Sequence, residues 1–127
     1  MIAHKNYRPP TKYESERIDR MMELPCPCCV LAKYFFRDHI ECHHIVEGAK
    51  RLGHWFTLPL CRGHHRGEWS VRQRETMEPK FLIAISDGRK LFVAAFAPER
   101  QLWEGVQKTL GLPAVWRASK ILPRRVA

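Results

Sequence analysis

The 127-residue chain has no run of eighteen apolar residues, so nothing in it reads as a membrane-spanning helix. Residues 1–10, MIAHKNYRPP, lack the apolar stretch and small-residue cleavage site of a secretory signal. Cysteine is present in an odd number, five, which suits a secreted disulfide framework poorly. The expected setting is therefore a reducing one, the cytoplasm, where clustered thiols bind metal. Internal repeats and low-complexity stretches are missing, which leaves one domain as the expectation for this length. Asparagine is almost absent: Asn6 is the only one. Acids are scarce, 13 against 22 Lys and Arg, and none follows Glu104.

What is present is unevenly placed. The chain holds seven His and five Cys, and every one except His4 lies between Cys26 and His65. A 127-residue chain buries only about two-thirds of its unfolded surface, so a second source of stability is expected, and this cluster suggests bound metal. The formal charge is +9, with 14 Arg to 8 Lys. Arginine is the residue suited to bidentate contact with phosphate. Lys50, Arg51, Arg62, Arg66, Arg72 and Arg74 meet a single acid, Glu68, over that stretch. A solvated basic face is one reading, but basic residues bracketing the Cys/His region fit a nucleic-acid surface better.

The hydrophobic pattern sets out the elements. Residues 1–13 read as a basic flexible arm and 14–127 as one domain, with a zinc and metal core over 26–69, a helical part over 80–112 and a basic tail over 113–127. Residues 13–24 read as an amphipathic helix with Ile18, Met21 and Met22 on one face, ended by Pro25. The aromatic-rich stretch 34–42 and the stretch 54–60 read as strands, Pro59 being tolerable only near an edge. Between them 47–53 is a loop, and after them 62–67 opens a short helix. Residues 81–85 fit a strand or a buried helix equally. Residues 89–97 read as a helix burying Leu91, Phe92, Ala95 and Phe96. Residues 99–110 form another, starting after Pro98, capped by Gly111, with Leu102, Trp103, Val106 and Leu110 on its apolar face. The fold class expected is α+β.

Two short motifs carry chemistry. Cys26-Pro27-Cys28-Cys29 contains a C-x-x-C, and Cys61-Arg62-Gly63-His64 is a C-x-x-H. Two such knuckles deliver four ligands to a tetrahedron, the arrangement of structural zinc. The ligand set expected is Cys26, Cys29, Cys61 and His64, with Cys28 able to replace either neighbour. The competing reading is buried free thiols acting as small hydrophobes. Between the knuckles lie Cys42-His43-His44-Ile45, and His65 follows the second. Trp55 and Trp69 flank this region, where a tryptophan either packs in the core or stacks on bases.

The order C-x-x-C, then His43-His44-Ile45, then Leu58-Pro59-Leu60-Cys61 with His64 and His65, resembles the HNH endonucleases of the ββα-metal class. Within that class, Glu41-Cys42-His43-His44-Ile45-Val46-Glu47-Gly48, Gly53-His54-Trp55, and more weakly Ser86-Asp87-Gly88 and Glu99-Arg100-Gln101-Leu102-Trp103, are most similar to the phage recombination-enhancement, RecA-dependent nucleases. The resemblance implies a zinc-stapled ββα-metal core with N-terminal and C-terminal helices packed on it. It implies a phage-encoded, metal-dependent DNA endonuclease of recombination or repair. DNA, single-stranded or RecA-coated, would be its substrate and host RecA a partner. His43 and His65 would hold Mg²⁺ or another divalent ion, and His44 would be the general base. The family's asparagine falls near Phe56, where this chain has none; His54, or else Thr57, would orient the base instead. Asp87 is a further candidate for a ligand or orienting group. Arg62, Arg66, Lys50 and Arg51 are the expected nucleic-acid contacts. The rival readings are a zinc-containing DNA-binding module that does not cleave, and a phage protein that binds and inhibits a host protein.

Overall fold

The computed structural model describes residues 8–116; the expected basic tail lies mostly outside them, as does the arm before Arg8. Among the described residues no helix is long and apolar enough to cross a membrane. The first helix, α1 (Lys12–Met21), is set by a capping box: Thr11 Oγ1 accepts the Glu14 N–H, and the Glu14 carboxylate accepts the Thr11 N–H. It starts one residue earlier than the pattern suggests. The preceding segment is tied to it, because the Arg8 guanidinium donates to both Glu14 oxygens at 2.8 and 2.9 Å. Burial opposes the charge on Glu14, but Arg8 and Thr11 hold its carboxyl down to about 2.

The face that α1 buries is partly polar. Arg17 is buried beside Met21, while Ile18 and Met22 are only partly covered. Arg17 Nε donates to Gln107 Oε1 at 2.6 Å, and its two terminal nitrogens donate to Thr57 Oγ1 and Thr57 O at 2.7 and 3.1 Å. One guanidinium thereby joins α1 to a strand and to the last helix, its charge satisfied by neutral acceptors.

A five-residue helix, α2 (Pro27–Leu31), follows, then β1 (Ile40–His44), a two-residue ribbon of β2 (Val46–Glu47) and β3 (Lys50–Arg51), and β4 (Thr57–Cys61). β1 and β4 pair antiparallel, with Ile40 opposite Cys61 and His44 opposite Thr57. The ribbon turns through Gly48 and Ala49 at φ 57° and 64°, the left-handed pair that a tight hairpin turn requires.

The strand expected over 34–42 is largely a connection. Tyr34 finds the core, but Phe35 is 77% exposed, so no buried face exists to sustain alternation until Ile40. The second strand is displaced to Thr57–Cys61, and all five of its residues are buried. Pro59 fits inside it because the sheet has two strands and each is an edge.

β4 runs straight into α3 (Arg62–Arg66), which Gly67 ends at φ 78°. A further helix not foreseen, α4 (Val71–Thr76), starts from a Ser70/Gln73 capping box. Residues 81–85 form neither a strand nor an α-helix: 82–84 link 3₁₀ turns at Pro79–Phe81 and Ile85–Asp87. Then come α5 (Arg89–Ala95) and α6 (Glu99–Leu110). In α5 the expected stripe narrows: Phe92 is buried, whereas Leu91 is 56% exposed, because so short a helix presents only one line of contact. α6 follows its pattern, ending at Gly111 with φ 72° and burying Leu102, Trp103, Val106 and Leu110. The result is a small α+β fold in which helices on both sides of the chain cover one short antiparallel hairpin.

Gly63 has no room for a side chain. A Cβ there would lie 2.3 Å from Trp69 Cε3 and 2.9 Å from Gln73 Oε1. Gly63→Ala is expected to destabilise the fold by about 1–3 kcal/mol, the usual cost of overpacking, measured as a lowered denaturant midpoint.

Candidate active site and metal centre

Local helix geometry explains how the two knuckles converge. Cys26 is the N-cap of α2 and Cys29 its third residue; Cys61 is the N-cap of α3 and His64 its third residue. An N-cap side chain and the third helical residue sit together over the helix start, as they do in a capping box. Two helix starts facing one another therefore bring four ligand atoms to one point. Those atoms, all on buried residues, lie within 4.8 Å of one another.

The spacings match a metal tetrahedron. With Zn–S bonds of about 2.3 Å, neighbouring sulfurs stand about 3.8 Å apart and an S–N edge is somewhat shorter. Cys29 Sγ is 3.7 Å from Cys61 Sγ, and His64 Nδ1 is 3.6, 3.5 and 3.2 Å from the sulfurs of Cys26, Cys29 and Cys61. All five cysteines are free, so the pairings are not disulfides. Burial opposes ionisation of Cys26, yet hydrogen bonds from Cys28, Cys29, Cys61 and His64 hold its thiol well below the ordinary value. His64 Nε2–H donates to Phe81 O at 3.0 Å, which turns Nδ1 towards the sulfurs, and Gln73 Nε2 donates to Cys61 Sγ at 3.2 Å. This Cys₃His group can hold a metal ion, with a donor set and geometry consistent with zinc. Cys28 is buried but stands outside the four.

Aromatic rings wall the group. His64 meets Trp69 and Phe96 edge-on, with centroids at 4.9 and 5.0 Å. Trp69 thus packs on the ligand, and Trp55 is buried under the Arg17 guanidinium at 5.8 Å. Trp55 is therefore in the core, whereas Trp69 is partly exposed.

Four of the five remaining imidazoles of the cluster, all but His39, form two pairs. Strand alternation puts Glu41 and His43 on one side of β1 and Cys42 and His44 on the other. His43 meets His65 of α3 edge-on at 5.2 Å between centroids. His44 meets His54 in the same way at 5.1 Å, with His44 Nε2 3.0 Å from His54 Nδ1. His54 Nε2 lies 2.6 Å from the Arg8 carbonyl oxygen. A carbonyl only accepts, so His54 Nε2 carries a proton; in the neutral pair His54 Nδ1 then accepts from His44 Nε2–H. The lone pair of His44 is left on Nδ1. Burial first, then Arg51, His54 and His43, push the His44 imidazole down to about 4, so it is neutral near pH 7.

Each member of the His43–His65 pair also has a carboxylate. His65 Nδ1–H donates to Glu41 Oε1 at 2.7 Å, and His43 Nε2 lies 2.7 Å from Glu99 Oε2. Arg66 donates to the other oxygen of Glu41 at 2.6 Å, and Arg62 stands 3.7 Å from it. Burial works to raise the Glu41 carboxyl, but His65 and Arg66 hold it below the usual carboxylate range. Arg62 and Arg66 also approach Glu68, at 3.9 and 3.5 Å, while Lys50 and Arg51 are exposed on the ribbon. Asp87 is occupied locally: its Oδ2 accepts the Ala84 N–H at 2.8 Å. Thr57 is taken by Arg17.

Sequence reasoning gave Glu41 and Glu99 no role. The i, i+2 alternation of β1 carried a signal for Glu41 beside His43. Glu99, 56 positions from His43, carried none.

Residues 10–111 match the family model described as recombination enhancement, RecA-dependent nuclease. The matched span takes in both knuckles, all five remaining imidazoles of the cluster and both carboxylates. No curated protein matches the chain.

Proposed function

The chain belongs to the recombination-enhancement, RecA-dependent nuclease family, and on that premise we propose that it is a metal-dependent HNH DNA endonuclease in which His44 is the general base. The observation that carries this reading is the relay from the Arg8 carbonyl through His54 to His44, which leaves a lone pair on Nδ1 of the residue that follows His43 in β1. In this reading β1, β4 and α3 are the two strands and the helix of a ββα-metal core.

His44 takes a proton from water onto Nδ1 as the water oxygen bonds to phosphorus. The bond from phosphorus to the 3′ oxygen breaks, leaving a 5′ phosphate on one fragment, and the departing 3′ oxygen takes a proton from solvent to become the hydroxyl of the other. His54 does the orienting work that an asparagine does in the resembled family, because it fixes which nitrogen of His44 bears hydrogen. His43 and His65 are the residues that would hold a divalent ion, Mg²⁺ or another, which supplies charge neutralisation at the phosphate and at the departing oxygen. In this reading Arg51, whose charge depresses His44, meets the phosphate as well, together with Lys50, Arg62 and Arg66. A phosphate reaching Arg62 or Arg66 competes with Glu41 and Glu68 for them.

Cys26, Cys29, Cys61 and His64 are assigned to a structural zinc, since four protein ligands leave no open position. The substrate in this reading is DNA carrying a RecA filament, with RecA the partner.

His44→Ala is expected to lower cleavage by ~10²–10⁴, the range for a positioned base, with zinc content and circular dichroism unchanged. His54→Ala is expected to act in the same direction by a smaller factor. The assay uses supercoiled and single-stranded DNA with Mg²⁺ or Mn²⁺, with and without RecA and ATP. No cleavage by the unaltered chain in any condition, alongside salt-dependent binding, would favour a non-cleaving zinc-containing DNA-binding module. Elemental analysis is expected to find about one zinc per chain, and strong chelation to unfold it, because binding energy is folding energy in such sites. A folded chain free of zinc would remove that assignment.

A further inference from the structure

Glu99 is the first residue of α6 and is 7% exposed at its side chain, yet it faces a candidate catalytic imidazole and not the apolar core. A carboxylate so buried is costly unless it is paired. Both of its oxygens are used. Oε2 is 2.7 Å from His43 Nε2, and Oε1 is 3.3 Å from the Arg89 guanidinium. Arg89, at the start of α5, also donates to the carbonyl of Val46, the first residue of β2. The C-terminal helices are thus anchored to the hairpin through one carboxylate on His43.

The same construction occurs on the other imidazole. Glu41 accepts from His65 and is itself held by Arg66 and Arg62. Two rings in edge-to-face contact each have a carboxylate behind them, and each carboxylate has an arginine behind it. The Glu41 arrangement is local, built within β1 and α3. The Glu99 arrangement needs a second pair of helices to deliver it.

We propose that Glu99 is a positioning residue for His43, fixing the proton on Nε2 so that Nδ1 keeps the ring's lone pair, as Glu41 fixes His65 Nδ1–H and leaves its Nε2. This rests on the reading of His43 and His65 as holders of a divalent ion. A carboxylate behind an imidazole ligand sets its tautomer and orientation and raises its basicity. Arg89 balances the charge of Glu99, so the pair is nearly neutral until a cation arrives. The C-terminal helical part is then a component of the reaction centre and not only a cover for the core.

The test is Mn²⁺ binding by the zinc-loaded full chain, followed by the electron-spin resonance of free Mn²⁺, with melting temperature and zinc content recorded in parallel. Glu99→Gln keeps the size but removes the charge and sets an amide donor against Arg89. It is expected to weaken Mn²⁺ binding by ~10–100-fold, the usual effect of losing such a partner, with zinc content unchanged. Arg89→Gln alters an exposed side chain that does not touch His43; it removes the positive charge that offsets Glu99 and is expected to tighten Mn²⁺ binding. It decides the matter if Glu99→Gln fails to fold. Unaltered Mn²⁺ affinity in folded Glu99→Gln, or in Arg89→Gln where the first variant does not fold, overturns the proposal. An unaltered chain with no affinity for Mn²⁺ overturns instead the ion-binding reading of His43 and His65, and the proposal falls with it.

Discussion

The convergence of two helix starts on one point is the constraint from which the rest of the site follows. Cys26 and Cys29 belong to the opening of α2, Cys61 and His64 to that of α3, and their ligand atoms lie within 4.8 Å. Because Cys61 is also the last residue of β4, fixing it fixes the strand, and β4 in turn sets the register of β1. His43 and His44 ride on β1 and His65 is the residue after His64. Each imidazole assigned to chemistry is therefore within a few bonds of an element that the four-ligand group locates. A metal in that group would add its binding free energy to what the apolar core supplies.

Charge is arranged differently at the two centres. Around the Cys₃His group the surroundings are apolar rings, a carbonyl and an amide, which orient ligands without adding charge. Around the His43–His65 pair, carboxylates and guanidiniums alternate: Glu41 with Arg66 and Arg62, Glu99 with Arg89. The first suits a permanent structural ion. The second suits a site whose charge changes when substrate arrives, since each arginine has a carboxylate to balance it before a phosphate does.

What was legible in the sequence is what depends on neighbours along the chain. The ligand set was legible because C-x-x-C and C-x-x-H map onto an N-cap and the third residue of a helix, a relation of three positions. α6 was legible for the same reason, its stripe and its Gly111 cap being local. The aromatic stretch at 34–36 misled, because strand preference reports how a side chain packs on neighbours, and Phe35 has none to pack on. Arg17 over Trp55, bonded to Thr57 and Gln107, had no local signature at all: its acceptors are 40 and 90 positions away. Glu99 was hidden likewise, its imidazole lying 56 positions away.

The last link of the His44 relay is a main-chain oxygen, that of Arg8. Every amino acid carries that atom, proline included, so exchanging the side chain at position 8 leaves the acceptor in place. Side-chain variation there acts only through the ion pair with Glu14, which sets where the segment lies. The protonation pattern of His44 is consequently tolerant of drift in residue identity at that end of the relay and sensitive to insertions or deletions between Arg8 and α1, which move the oxygen itself.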